Sequence, residues 1–91
     1  VAAIAPFDDE AEAVAIANAT EYGLVAYLHS QDPRRIYRLT RALDFGMVAL
    51  NTGSIAMEMA PFGGVKESGV GREGGMEGIG EYLEPKYISL L

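Results

Sequence analysis

Ninety-one residues make one domain at most, and a lone domain of that size buries only about 60 to 65 per cent of its unfolded surface. Thirteen acidic against seven basic side chains give a formal net charge of −6, which argues against a nucleic-acid partner, because that affinity comes chiefly from neutralising phosphates. No cysteine and a single histidine exclude a disulfide framework and an ordinary zinc site, and no apolar run approaches the ~20 residues that span a bilayer.

In chain order, Val1 to Pro6 is apolar throughout and ends at proline, which predicts a buried strand. A helix should start at Asp8-Asp9, with Asp9 as N-cap and Glu12 three residues on completing a box-like start. Ala13, Ile16, Ala17 and Thr20, with Val14 beside them, form its close-packing face, and Gly23 is the expected stop. Leu24 to Ser30 reads as a second strand with His29 at its end, where a strand-end polar role outweighs that of a base for Ser30 or Ser68.

Asp32-Pro33 opens the next helix with an N-cap and a proline at the first turn. Ile36, Leu39 and Leu43 are its buried stripe and Gly46 its stop. Arg34, Arg35, Arg38 and Arg41 make a basic, solvated face. Met47 to Asn51 is a short apolar strand. Strand, helix and strand within about 28 residues predict a parallel βαβ unit with a right-handed crossover. Asn51 to Ala60 lacks periodicity and reads as a loop whose Ile55, Met57 and Met59 need a partner or a substrate. Met76 to Leu83 should be a short helix ended by Pro85, and Lys86 to Leu91 a final strand in need of a sheet partner.

Between them lies Pro61 to Gly75, PFGGVKESGVGREGG, with six glycines in fifteen residues. It also carries Phe62, Val65 and Val70 for burial and Lys66, Glu67, Arg72 and Glu73 for pairing, so it is expected to be an ordered loop rather than a flexible tether. Gly69-Val70-Gly71-Arg72-Glu73-Gly74 matches G-x-G-x-x-G, but the strand before it and the helix after it that a dinucleotide site requires are missing from the pattern. Neither a P-loop nor a G-x-S-x-G elbow is present.

The longer string is more specific. Asn51, nine residues, then Pro61-Phe62-Gly63-Gly64-Val65-Lys66-x-Ser68-Gly69-x-Gly71-Arg72-Glu73-Gly74 resembles the C-terminal signature of the aldehyde dehydrogenase superfamily. The similarity runs upstream through Ala17-Asn18-x-Thr20-Glu21-Tyr22-Gly23-Leu24 and downstream through Tyr82-Leu83-Glu84-x-Lys86-Tyr87. Gly46-Met47-Val48 and the Glu-Tyr-Leu-Glu tail are most similar to the succinate-semialdehyde dehydrogenase branch.

The resemblance implies an α/β fold: a parallel βαβ core within the catalytic domain (residues 1–85) and a C-terminal strand (residues 86–91) that joins an oligomerisation sheet. The chain would be the C-terminal piece of a larger cytoplasmic homo-oligomer, a dimer or tetramer. That enzyme would oxidise an aldehyde, succinate semialdehyde or a related semialdehyde, with NAD or NADP through a cysteine thioester. The reactive cysteine, the water-activating glutamate and the oxyanion-binding asparagine would lie upstream, so no catalytic residue is expected in this chain, which alone should be inert. By the same resemblance, Ser54, Ile55, Ala56 and Phe62 would contact substrate, and Phe62 also the nicotinamide. Ala56 stands where the succinate-semialdehyde branch has a carboxylate-binding serine, and Ser54 compensates only if the loop is shifted. Arg72 and Glu84 would form an ion pair near the subunit interface. The alternative to an enzyme segment is an autonomous small acidic α/β interaction module, to which the near-complete set of caps and stops points. A nucleotide-binding domain would rest on the isolated G-x-G-x-x-G alone.

Overall fold

The computed structural model describes residues 1–91. Its elements are α1 (Glu10–Asn18), β1 (Tyr22–Gly23), β2 (Val25–Leu28), α2 (Pro33–Ala42), β3 (Met47–Leu50), β4 (Val65–Lys66) and a 3-10 helix (Glu77–Tyr82). The fold is α/β. β2 and β3 run parallel in the register Val25↔Met47 to Leu28↔Leu50, with α2 as the crossover. A second pair, β1 with β4, is antiparallel, in the register Tyr22↔Lys66 and Gly23↔Val65.

Both helices begin where the sequence places them. The Asp9 carboxylate accepts from the Glu12 N–H at 2.9 Å, while Glu12 Oε2 accepts from the Asp8 N–H at 2.8 Å, so the box closes one residue before the cap. Asp32 Oδ1 accepts from the N–H groups of Arg34 and Arg35 at 2.9 and 3.3 Å, with Pro33 at the first position. Replacing such a cap by alanine leaves orphan donors at the helix start. Asp32→Ala is therefore expected to destabilise the protein by about 1 kcal/mol, read as a lower denaturant midpoint, whereas Asp32→Asn should be close to neutral.

The helices do not end where the glycines suggest. α1 stops at Asn18, because that side chain turns to the end of α2: its Nδ2 donates to the Ala42 carbonyl at 2.8 Å and its Oδ1 accepts from the Asp44 N–H at 2.9 Å. α2 likewise gives out at Ala42, with Leu43 as its cap. Gly23 and Gly46 instead lie where segments press together. The apolar face of α1 is Ala13, Val14 and Ala17, all half-buried, while Ile16 and Thr20 are exposed. The α2 stripe is as expected, with Leu39 buried and Ile36 and Leu43 half-buried.

The fully buried apolar core is small: Leu39, Met47 and Ala49, under α2 and in β3. The expected first strand does not form; residues 1–7 are exposed and in no ladder, since a strand exists only with a partner for its N–H and C=O groups. Lys86 to Leu91 fails to form a strand for the same reason, and the helix expected before it is a 3-10 helix. These arms stretch the chain to 65 × 30 × 24 Å with a radius of gyration of 17.2 Å, against about 12 Å for a compact chain of this length. No helix is long and apolar enough to cross a membrane.

Candidate functional site

The glycine-rich stretch is an ordered loop closed at its neck. The Phe62 N–H donates to the Glu73 carbonyl at 2.7 Å and the Glu73 N–H returns to the Phe62 carbonyl at 2.8 Å. Gly69, Gly71, Gly74 and Gly75 all take positive φ, which lets the chain reverse within so few residues. Arg72 lies across the loop's interior, its Nη1 donating to the carbonyls of Gly64 and Gly71 at 2.8 and 2.7 Å. The loop is fastened to the rest of the molecule by β4 on β1, by Glu67 N–H to the Glu21 carbonyl, and by the Gly23 N–H donating to Ser68 Oγ.

The preceding loop is positioned by Asn51. It holds φ +54, a conformation that asparagine tolerates better than most residues. Its amide pairs both ways with the Ser30 backbone, Oδ1 accepting from the N–H and Nδ2 donating to the carbonyl, each at 2.9 Å. This extends the β2–β3 ladder by one side chain and fixes where the loop departs. At its far end the Ala60 N–H donates to the Met57 carbonyl and the Gly75 N–H to the Glu58 carbonyl, folding residues 57–60 onto the glycine loop.

Phe62, half-buried, lies between two open clefts. One, of about 460 Å³, is lined by Ala56, Met57, Glu58, Phe62, Glu73 and Gly74. The other, of about 410 Å³, lies on the loop's other side against Leu24, Ser68, Arg72 and Glu81. A larger, mostly apolar gap of about 610 Å³ separates α1 from α2 and β2 and is not lined by Phe62; it is a packing space lined by Ala13, Leu28, Leu39 and Phe45 among others.

The site residues expected from the sequence fall unevenly on this geometry. Ala56 and Phe62 meet on one cleft; Ile55 is half-buried outside both. Ser54 is exposed, its backbone N–H and carbonyl engaged with Thr52 Oγ1 in a small turn, and it does not line the cleft that Ala56 lines. Arg72 and Glu84 form no ion pair within this chain: Arg72 Nη1 donates to two carbonyls of its own loop, and Glu84 lies in the exposed tail. Val70 is fully exposed at 100% rather than buried. The G-x-G-x-x-G segment lacks dinucleotide context: the strand before it is two residues long and antiparallel, and no helix begins at Gly74. His29 is exposed just after the end of β2 and forms no hydrogen bond with Ser30 or Ser68.

The basic face of α2 is not simply solvated. Glu10 on α1 takes Arg35 Nε at 3.1 Å and Arg38 Nη2 at 2.8 Å, tying the two helices together. Hydrogen bonds from Arg38, then Arg35, hold the Glu10 carboxyl below its ordinary 4.5. A carboxyl with a lowered folded-state pKa contributes stability that is complete above its unfolded value and disappears as pH falls through the folded one. The wild-type protein should therefore lose part of its stability as pH drops below about 4.5, and Glu10→Gln should remove that component. Denaturation midpoints of both proteins at neutral and acidic pH check this: the gap between them should close on acidification.

Comparison with known proteins bears on the same residues. The aldehyde dehydrogenase family model matches residues 1–88. The chain is 52% identical over 84 residues to glutarate-semialdehyde dehydrogenase of Pseudomonas putida, covering 92% of this chain and 18% of that protein. It is 56% identical over 88 residues to the mitochondrial succinate-semialdehyde dehydrogenase of Rattus norvegicus, covering 97% of this chain and 17% of the relative. Among solved structures, succinate-semialdehyde dehydrogenase from Burkholderia pseudomallei superposes with a TM-score of 0.81 at 56% identity, covering 84% of this chain and 16% of that one. The chain thus spans less than a fifth of the length of these relatives.

Proposed function

The chain belongs to the aldehyde dehydrogenase family, and on that premise we propose that it is the part of an NAD- or NADP-dependent enzyme that walls the aldehyde site. The whole protein would oxidise an aldehyde to the carboxylic acid, with a cysteine thiolate, supplied by polypeptide outside these residues, attacking the carbonyl. The observation that carries the reading is the cleft in which Ala56, Met57 and Phe62 converge, held by the Phe62–Glu73 bridge. A nicotinamide coenzyme would supply the hydride acceptor. The residues present fit its nicotinamide ring only: Phe62 offers an apolar face, whereas Arg72 Nη1 and Lys66 Nζ beside it are engaged with backbone carbonyls. Phe62 and its neighbours would orient the aldehyde and exclude water.

Semialdehydes are the first substrate candidates, since the relatives above carry that name. The cleft lining, however, has no side-chain donor for a distal carboxylate. Ala56, Met57 and Phe62 are apolar, and Glu58 and Glu73 only accept when ionised. Uncharged aldehydes of medium length therefore belong in the same panel. Two or four copies would assemble through residues 86–91, where Tyr87, Ile88 and Leu90 are exposed on a segment with no ladder partner.

An autonomous interaction module fits poorly with three buried apolar side chains and two unpartnered arms. The deciding experiment is the full-length protein with NAD and NADP against carboxylated and uncharged aldehydes, following coenzyme reduction. Turnover of at least one class supports the reading; no reduction with any aldehyde and either coenzyme overturns it.

A further inference from the structure

The one residue other than glycine with a left-handed backbone in the glycine loop is Lys66. It holds φ +55, a left-handed conformation that the loop's other such turns give to glycine. A lysine kept there points to a task for its side chain. That side chain is only 22% exposed, and its Nζ lies 3.4 Å from the Asn18 carbonyl, 3.4 Å from the Thr20 carbonyl and 3.4 Å from Asp44 Oδ2. Three ammonium donors thus face three acceptors, with the Phe45 ring 5.5 Å away. Asn18 is the last residue of α1, where exposed carbonyls carry partial negative charge. It is itself bonded to Ala42, the last residue of α2, and to Asp44 just beyond it. One ammonium therefore gathers the ends of both helices and the base of the loop.

We infer that Lys66 is a positioning residue for the cleft: its ammonium fixes the loop's base on the α1 and α2 termini, and thereby fixes where Phe62 stands. The link between them is short and has little freedom. From Lys66 back to Phe62, Val65 is paired with Gly23, Gly64 has its carbonyl held by Arg72, and Gly63 lies against the Gly46 backbone. Phe62 is then closed by Glu73. A shift at residue 66 has no flexible residue in which to be absorbed and arrives at the cleft.

The inference rests on the aldehyde reading of that cleft, and its test separates the two. In the full-length enzyme, Lys66→Met removes the charge and keeps the stem; Lys66→Gly removes the side chain and relieves the backbone, so it should fold even where methionine does not. Both should raise the KM for aldehyde roughly tenfold, the scale expected when a set of charge-assisted hydrogen bonds is lost, while the KM for coenzyme stays unchanged. Ethylammonium should partly restore the aldehyde KM of Lys66→Gly, and tetramethylammonium, which has no N–H, should not. A lower melting temperature with wild-type aldehyde KM makes the residue merely structural and overturns the inference, as does equal rescue by both cations. A wild-type enzyme inactive on every aldehyde brings down the functional reading and this inference with it.

Discussion

Ala56→Ser in the full-length protein is expected to raise kcat/KM for aldehydes with a distal carboxylate roughly ten- to a hundredfold relative to uncharged aldehydes of equal length. The site explains both sign and size. Ala56 lines the Phe62 cleft, whose remaining side chains are two apolar groups and two acids, so an entering carboxylate finds no side-chain donor there and two like charges nearby. A hydroxyl at position 56 supplies one donor, and a hydrogen bond to a charged group is worth about 1.5 to 3 kcal/mol. Ser54 does not line that cleft, and its backbone is held in a turn by Thr52 Oγ1. Relative kcat/KM values across a matched panel of carboxylated and uncharged aldehydes read the effect. A ratio that does not move would show that position 56 does not face the substrate.

Gly46→Ala should be among the most damaging single-methyl additions in the chain. A Cβ at residue 46 runs into the Gly63 carbonyl and comes within 2.8 Å of the Gly64 Cα. Both obstacles are backbone, so no rotamer change relieves the clash. The cost is expected to be about 1 to 3 kcal/mol, with the strain delivered to the residues that carry Phe62. Thermal inactivation and activity should fall together. Gly53→Ala is the control: nothing lies within 4 Å of the added methyl, and a change within about 0.5 kcal/mol is expected. Equal stability of the two variants would mean that the Gly46–Gly63 approach is looser than described.

What the residues announce on their own are the features set by neighbours a few positions away. Asp9 with Glu12 and Asp32 with Pro33 start helices because a carboxylate and an N–H two or three residues on meet in any context. The apolar runs either side of α2 specify a parallel pair, because the short crossover between them leaves little alternative. The string from Asn51 to Gly74 carries the family signature.

The tertiary structure decided what depends on partners far along the chain. α1 ends at Asn18 rather than near Gly23 because the amide bonds 24 and 26 residues away. Gly46 proved to be a contact with Gly63, and β1–β4 is too short a pair for any periodicity to reveal. Arg72 satisfies carbonyls of its own loop, a choice that no charge pattern encodes. The two terminal arms show the same principle from the other side. Apolar composition marks Val1 to Pro6 and Lys86 to Leu91 as strand material, but a strand is a relation between two segments, and within these 91 residues neither has a second one.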